Sequence, residues 1–347
     1  MNKLKWVFYL YLVFFNCMAF ASSKEAVNMT VDFESAHMLV DILSKDKISD
    51  QQLEKLMGLQ GIQATIHQTS RFDNGATAEV FKSTLVDVIE GRPNTYDPFR
   101  FHKLKDDLLG LKKIITTIEN NPQHYINDVR QGISSYSPNN LSIETNIFIV
   151  VGGTSDGWAK DGNFYIALQY FKGDYKGLLI LSIHELYHVA QPYFYGKSQK
   201  PDSSCEKILN QTRMEGIASI VGSPFNVTEG KEYIVWFQQK YKTNLQRISD
   251  NFVLLEMMLY RACNDPDVEF DRIYPLGFSG RWNSPLYYVG YYIGNTIEEI
   301  KGRDFLISTL KKSPSAMFKA YIDIYKEDKA KDIPRFDEST ENIILAL

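Results

Sequence analysis

The residues with the clearest chemical potential in this sequence are two histidines and a glutamate within one apolar stretch. Residues 178–195 contain His184, Glu185 and His188 in the pattern His-Glu-x-x-His. On an α-helix, side chains four residues apart lie on the same face, so both imidazoles can reach one zinc ion. Glu185 would then lie beside the metal, where its carboxylate can take a proton from water. The alternative is a helix whose two histidines are ordinary core or surface residues.

A glutamate farther along the chain is the best candidate for a third zinc ligand. Glu215 lies within a predicted helix, residues 205–221, among apolar neighbours that place it on or beside a buried face. An unpaired carboxylate is costly there, so it needs a charge partner or a metal. Glu206 is the competing carboxylate, but it lies at the start of that helix, where acidic residues commonly interact with the helix dipole. Two histidines, Glu215 and an open fourth position form a catalytic Zn²⁺ site rather than a closed structural one.

The elements that must position these residues indicate an α+β fold that is mostly helical. Residues 146–151 and 163–171 read as two strands on either side of a loop rich in glycine and aspartate. We expect the strands to pair in antiparallel orientation, in a small sheet beside the metal-binding helix. The second strand could then run along the cleft and pair with an extended peptide. An ordinary core hairpin under a helix is compatible with the same pattern.

The part of the chain before the two strands is predicted to be helical and carries no chemical motif. Apolar residues recur at helical spacing in several segments between residues 27 and 132, which are separated by short polar breaks. The predicted helices cover residues 36–43, 49–59, 76–89, 99–119 and 124–134. We therefore divide the chain after its first 21 residues into three parts. These are a helical region at 22–136, a catalytic region at 137–305 and a helical tail at 306–347.

The amino terminus has the pattern of an export signal. Lys3 and Lys5 precede an apolar run that ends at Ala19-Phe20-Ala21. This predicts a signal peptide at residues 1–21, cleaved before Ser22, and a periplasmic or secreted protein. The apolar run is short for a membrane-spanning helix, so we expect no stable membrane anchor.

Composition and cysteine content limit the partners and the compartment. The formal charge of −4 gives no indication of a basic surface for nucleic acid. The sequence does not predict the oligomeric state. The 21 tyrosines and 21 phenylalanines suit a cleft for extended or apolar substrates and suit a large core equally well. Cys205 and Cys263 could form a disulfide in an oxidising compartment or remain two separate buried thiols.

A family resemblance rests on two motifs. HELYH at residues 184–188, followed by RMEGIAS at 213–219, resembles the gluzincin metallopeptidases. The resemblance is to uncharacterised zinc-dependent peptidases in particular, whose second motif reads Glu-Gly-x-Ala, and it covers roughly residues 140–305. It implies a zincin-like fold with His184, His188 and Glu215 as ligands and Glu185 as general base. Better-known gluzincins often have an Asp four residues after the third ligand to orient a histidine. Ser219 stands there, so the partners of the two histidines are not predicted.

A later tyrosine-rich stretch could supply a donor for the oxyanion that forms during carbonyl attack. Similar peptidases carry a Tyr-x-x-Gly-Tyr stretch after the glutamate motif, and here that pattern begins at Tyr287. This favours Tyr287, with Tyr288 and Tyr291 as further candidates; packing aromatics are the alternative. Gly290 and Gly294 are four residues apart, so one face of this predicted helix can approach a neighbouring helix closely.

Taken together, these patterns predict an exported zinc metallopeptidase that hydrolyses peptide or protein substrates with a zinc-activated water and Glu185 as general base. One alternative is an extracytoplasmic zinc-containing binding protein without catalysis. Another is a metallohydrolase that acts on non-peptide amides, such as cell-wall crosslinks.

Overall fold

The computed structural model describes residues 26–137, 142–194, 201–280, 283–327, 330 and 332–347. The predicted signal peptide at residues 1–21 lies outside the described residues. The strands are β1 (Ala26–Asp32), β2 (Ser142–Val150), β3 (Gly157–Lys160) and β4 (Asn163–Ala167). The helices are α1 (Glu34–Leu43), α2 (Asp50–Gly58), α3 (Gln60–Ser70), α4 (Ala78–Ile89), α5 (Phe101–Asp106), α6 (Leu108–Glu119), α7 (Pro122–Ser134), α8 (Tyr175–Phe194), α9 (Ser204–Val221), α10 (Glu232–Gln246), α11 (Ile248–Asn264), α12 (Phe270–Phe278), α13 (Pro285–Lys301), α14 (Arg303–Leu310), α15 (Ala316–Lys326) and α16 (Glu338–Ala346). The prediction of an α+β, mostly helical fold is confirmed.

The described strands form one mixed sheet in the order β1-β2-β4-β3. β2 is parallel to both β1 and β4, whereas β3 is antiparallel to β4. The predicted antiparallel pairing of the first two strands is therefore wrong. The loop between β2 and β4 contains an extra strand, β3, which forms a hairpin with β4. This reversal brings β4 back in the same direction as β2.

The edge of the sheet also differs from the prediction. β4 pairs on both sides, with β2 and with β3, so its backbone cannot accept an added peptide strand. β3 takes the edge position that was expected for β4. β1, at the opposite edge, was not predicted, because a short strand far from its partner in sequence gives only a weak local signal.

Most of the predicted amino-terminal helices are confirmed, and local signals explain their limits. α2 begins after a capping box, in which the Ser49 hydroxyl accepts a hydrogen bond from Gln52 N and the Gln52 side chain accepts one from Ser49 N. α7 begins with Pro122 in its first turn, after an Asn121 cap. The single periodic stretch at 99–119 is two helices, α5 and α6, because Asp107 leaves the helical conformation.

The apolar core is continuous from the amino-terminal helices to the last helix. Leu39, Ile147, Leu186, Ile217 and Ile344 all belong to one buried cluster. The sheet separates it from a smaller cluster on its other face, formed by residues that include Phe148, Trp158 and Tyr165. Alternate residues of β2 therefore contribute to different clusters, as expected for a strand buried on both faces.

Two features hold α9 in place. Gly216 on α9 faces Gly290 on α13, where an added Cβ at Gly216 would lie 2.3 Å from the Gly290 Cα. The predicted close approach of the glycine face of α13 is thus present. A disulfide joins Cys205 on α9 to Cys263 on α11, so the two cysteines are bonded rather than separate thiols.

None of the described helices has the length and apolar character that a membrane span needs.

Candidate metal centre

The helix that carries the His-Glu-x-x-His pattern is fixed at its start by a buried aspartate. Asp174 accepts a hydrogen bond from Gly177 N in the first turn of α8, at 3.1 Å. Its other oxygen accepts hydrogen bonds from Lys231 N and Ile234 N at the start of α10, at 3.0 and 3.2 Å. One carboxylate therefore caps two helices, which ties the position of α10 to that of α8.

The helix that carries Glu215 is also capped locally. Ser203 and Glu206 form a capping box at the start of α9. This accounts for Glu206, the competing carboxylate, which serves the helix terminus rather than the histidines. Glu215 lies three turns farther along and is 7% exposed, on the face of α9 that contacts α8.

The structure brings the three predicted ligands together. His184 Nε2 lies 3.2 Å from His188 Nε2, and these two atoms lie 3.5 and 3.1 Å from Glu215 Oε2. Ligand atoms about 2.0–2.2 Å from a tetrahedral zinc ion are separated by about 3.3 Å. The triangle of two nitrogens and one oxygen therefore has the size that a zinc ion requires. Among the described residues, this is a group of histidine and acidic side chains that could hold a metal ion.

A glutamine orients one of the two histidines. His188 Nδ1 lies 2.8 Å from Gln191 Oε1, and Gln191 Nε2 donates to the Met214 carbonyl at 2.8 Å. Since the amide oxygen can only accept, Nδ1 donates to it, and Nε2 is the His188 nitrogen that faces the Glu215 oxygen and becomes a metal ligand once it loses its proton. His184 Nδ1 is buried without a hydrogen-bond partner among the described residues.

The third ligand is held from its own helix. Gln211 Nε2 donates to Glu215 Oε1 at 2.9 Å, which leaves Oε2 directed at the histidines. Burial alone would raise the pKa of Glu215, but the charge of His188 and hydrogen bonds from both imidazoles hold it below its ordinary value. Burial likewise opposes protonation of His188, yet the Glu215 carboxylate raises the pKa of His188 to about 9. A proton held between His188 and Glu215 occupies the position that a zinc ion would take. Zinc and this proton therefore compete for the same site.

The predicted general base lies between the ligands and the edge strand. A Cβ atom added to Gly157, the first residue of β3, would be 3.5 Å from Glu185 Cγ. Burial raises the pKa of Glu185, and the charges of Glu215 and Asp156 raise it further, although the two histidines oppose this. A carboxylate with a raised pKa is a better proton acceptor near neutral pH.

Of the three candidate tyrosines, the structure places one beside the metal ligands. The ring of Tyr287 lies parallel to that of His184, with 6.4 Å between centroids, and its side chain interacts with Glu215. Tyr288 and Tyr291 instead pack edge-on against Tyr241, with centroids at 4.9 and 5.0 Å. These two rings therefore belong to the aromatic cluster around Tyr241.

Three residues near the site were not found from the sequence. Gln191 follows His188 by three positions on the same helix, so helical spacing could have indicated it. Tyr274 on α12 interacts with Tyr287 and with the charges of Glu215 and Glu185, and burial raises its pKa to about 12. Asp156 lies in the loop before β3, where its charge acts on Glu185. No local pattern indicates Tyr274 or Asp156, because tertiary contacts alone bring them to the site.

Comparison with known proteins agrees with this geometry. A family model described as "Putative zinc dependent peptidase (DUF5700)" matches residues 53–330, which is most of the chain. The protein belongs to this family. The resemblance to zinc-dependent peptidases seen in the sequence is confirmed, and membership supports a zinc peptidase in general terms. No curated protein and no solved structure matches the chain.

Proposed function

We propose that the protein is an exported, zinc-dependent peptidase in which Glu185 is the general base. The observation that carries this proposal is the triangle of His184 Nε2, His188 Nε2 and Glu215 Oε2, with sides of 3.1 to 3.5 Å, next to the buried Glu185. The donor set suits zinc, and a fourth position remains for water or substrate. Bound zinc would supply Lewis acidity, which lowers the pKa of a water and polarises a carbonyl.

Side chains of the protein perform the proton transfer and stabilise the oxyanion. Glu185 accepts the proton of the attacking water and returns it to the leaving amine, for which its raised pKa is suited. Tyr287 donates a hydrogen bond to the developing oxyanion, since burial raises its pKa well above the ordinary value and keeps the phenol protonated. Tyr274 interacts with Tyr287 and supports its orientation.

The edge strand provides a place for the substrate backbone. β3 pairs only with β4 in the described sheet, and its first residue packs over Glu185. A peptide that adds to β3 as an extended strand would pass directly above the general base. Backbone hydrogen bonds of this kind do not depend on side-chain identity, which suits a peptidase.

Export is supported by the disulfide between Cys205 and Cys263, because disulfides persist mainly in oxidising compartments. The signal sequence predicted at residues 1–21 agrees with this. Both observations favour a periplasmic or secreted enzyme.

The test compares Glu185→Gln with His188→Ala. Zinc content is measured by atomic absorption, and cleavage is followed with fluorescently labelled casein and a synthetic peptide mixture. We expect Glu185→Gln to keep zinc and lose activity by about 100- to 10,000-fold, the range usual for removal of a general base. His188→Ala should lose both.

Glu206→Gln is the matched control, since glutamine also serves in a capping box and this position is remote from the ligands. Activity of Glu185→Gln equal to that of Glu206→Gln would refute the role of Glu185. Wild-type protein that binds zinc but cleaves no peptide would favour a binding protein. Cleavage of cell-wall amides alone would favour the alternative of a metallohydrolase that acts on non-peptide amides.

A further inference from the structure

One cavity has no role in the proposed mechanism, although its wall includes Asp156, whose charge acts on Glu185. Its volume is about 380 Å³, which is enough for a long side chain. The cavity is lined by aromatic rings, two carboxylates and one ammonium group: Tyr170, Tyr233, Trp236, Asp156, Glu232 and Lys172.

Tyr233 of the cavity wall and Gly157 beside the general base both pack against α8. Gly177, Leu181 and Glu185 recur every four residues on one face of this helix. Glu185 meets Gly157 of β3, and Gly177 meets Tyr233, whose Cδ1 would be 2.6 Å from an added Cβ. Gly177 and Glu185 are about 12 Å apart along the helix, which an extended peptide spans in about four residues. A peptide on β3 could therefore reach both places.

The charges in the cavity wall do not cancel. Lys172 Nζ pairs with Glu232 at 2.8 Å, so these two groups neutralise each other. Asp156 Oδ2 accepts a hydrogen bond from the Tyr233 hydroxyl at 2.9 Å, but Asp156 forms no ion pair among the residues that the structure describes. One carboxylate without a bound cation therefore remains, surrounded by aromatic rings.

Two further cations lie near these rings. Lys240 Nζ is 5.7 Å from the centroid of the Trp236 ring, and the Arg100 guanidinium is 5.3 Å from that of Tyr170. These contacts show that the aromatic faces accept cations. Burial lowers the pKa of Lys240, and the attraction of Asp156 opposes this shift. Lys240 and Asp156 form no ion pair in the part of the chain that the structure describes.

We propose that this cavity binds a basic side chain of the peptide substrate, a lysine or an arginine, with its charged end at Asp156 and its methylene groups against Tyr233 and Trp236. The proposal rests on the proposed function, and it adds a substrate class: peptides with a basic residue close to the cleaved bond. An acidic side chain, drawn by Lys240 and Arg100, is the opposite preference and a possible outcome of the test.

The first experiment measures binding without turnover. Zinc-loaded Glu185→Gln protein is titrated calorimetrically with three sets of capped alanine-based pentapeptides that carry one lysine, norleucine or glutamate at each position in turn. We expect the best lysine peptide to bind at least 10-fold more tightly than its norleucine counterpart. Asp156→Asn in the same background should remove this difference, although its side chain can still accept the Tyr233 hydrogen bond.

Asp161→Asn is the matched control. Asp161 is an exposed turn residue between β3 and β4 with a φ of 51°, a conformation that asparagine tolerates well. It should keep the preference for lysine. Equal binding of lysine and norleucine peptides, tighter binding of glutamate peptides, or an unchanged preference in Asp156→Asn would overturn the proposal.

The second experiment separates this inference from the proposed function. The wild-type protein is incubated with the same peptides, and products are identified by mass spectrometry. Cleavage without preference for a basic residue would overturn the inference and leave the peptidase proposal intact. A lysine preference in binding without any cleavage would overturn the peptidase proposal while the cavity keeps its assignment.

Discussion

Gln191 provides a sharp test of how the metal centre is built. Its side chain is fully buried and joins two helices, since Oε1 lies 2.8 Å from His188 Nδ1 and Nε2 lies 2.8 Å from the Met214 carbonyl oxygen. Gln191→Ala removes both hydrogen bonds. We expect weaker zinc binding because nothing then fixes the tautomer and ring orientation of His188.

The expected size follows from these two contacts. Loss of a hydrogen-bond partner behind a metal-binding histidine typically weakens metal affinity about 10- to 100-fold, or about 1.4–2.8 kcal/mol. Two buried hydrogen bonds at about 1 kcal/mol each also predict that the metal-free variant loses about 2 kcal/mol of unfolding free energy. Gln191→Glu should separate the two effects, because a carboxylate still accepts from His188 but cannot donate to Met214.

Zinc affinity is measured by competition with a chromogenic chelator, and stability of the metal-free protein by urea unfolding. Gln238→Ala is the control: Gln238 also donates to a backbone carbonyl, that of Pro224, at 2.9 Å, but contacts no predicted metal ligand. It should lose stability and keep its zinc affinity. A folded Gln191→Ala protein that binds zinc as tightly as the wild type would refute the orienting role of Gln191.

Two predictions concern the framework around the centre. Gly290→Ala would place a Cβ 2.0 Å from the Thr212 carbonyl oxygen, so α13 must move away from α9. We expect the free energy of unfolding, measured in urea, to fall by about 1–3 kcal/mol. Peptide cleavage should also decrease, because Tyr287 moves with α13. Replacing Cys205 and Cys263 together by serine opens a loop with a sequence separation of 58. Chain entropy predicts a loss of about 4 kcal/mol of unfolding free energy, measured under the same conditions.

Each of these predictions has its own control. Gly58→Ala introduces a Cβ with nothing within 4 Å, so it should not destabilise the protein. If Gly290→Ala is as stable and active as Gly58→Ala, the close helix contact does not position Tyr287. Reduction of the wild-type protein should reproduce the effect of the double serine variant. An identical urea midpoint with and without reductant would contradict the stabilising role of the disulfide.

The sequence by itself determined the parts of this protein that depend on local periodicity. A four-residue interval on one helix is enough to place His184 and His188 on the same face. Apolar neighbours around Glu215 indicate a buried carboxylate that needs a partner. The capping signal at Ser49 likewise acts within a few residues, so the start of α2 follows from the sequence. α7 begins at Pro122, two residues before the predicted start at 124.

Only the tertiary structure decided what depends on contacts between distant segments. The pairing of β1 with β2, the parallel alignment of β4 and the edge position of β3 depend on long-range hydrogen bonds that no local pattern encodes. The contacts of Glu185 with Gly157 and of Asp156 with Tyr233 arise in the same way. The histidine pattern could therefore be read from a single helix, whereas the surroundings of the histidines arise only because the β3–β4 hairpin, α10 and α13 pack near that helix.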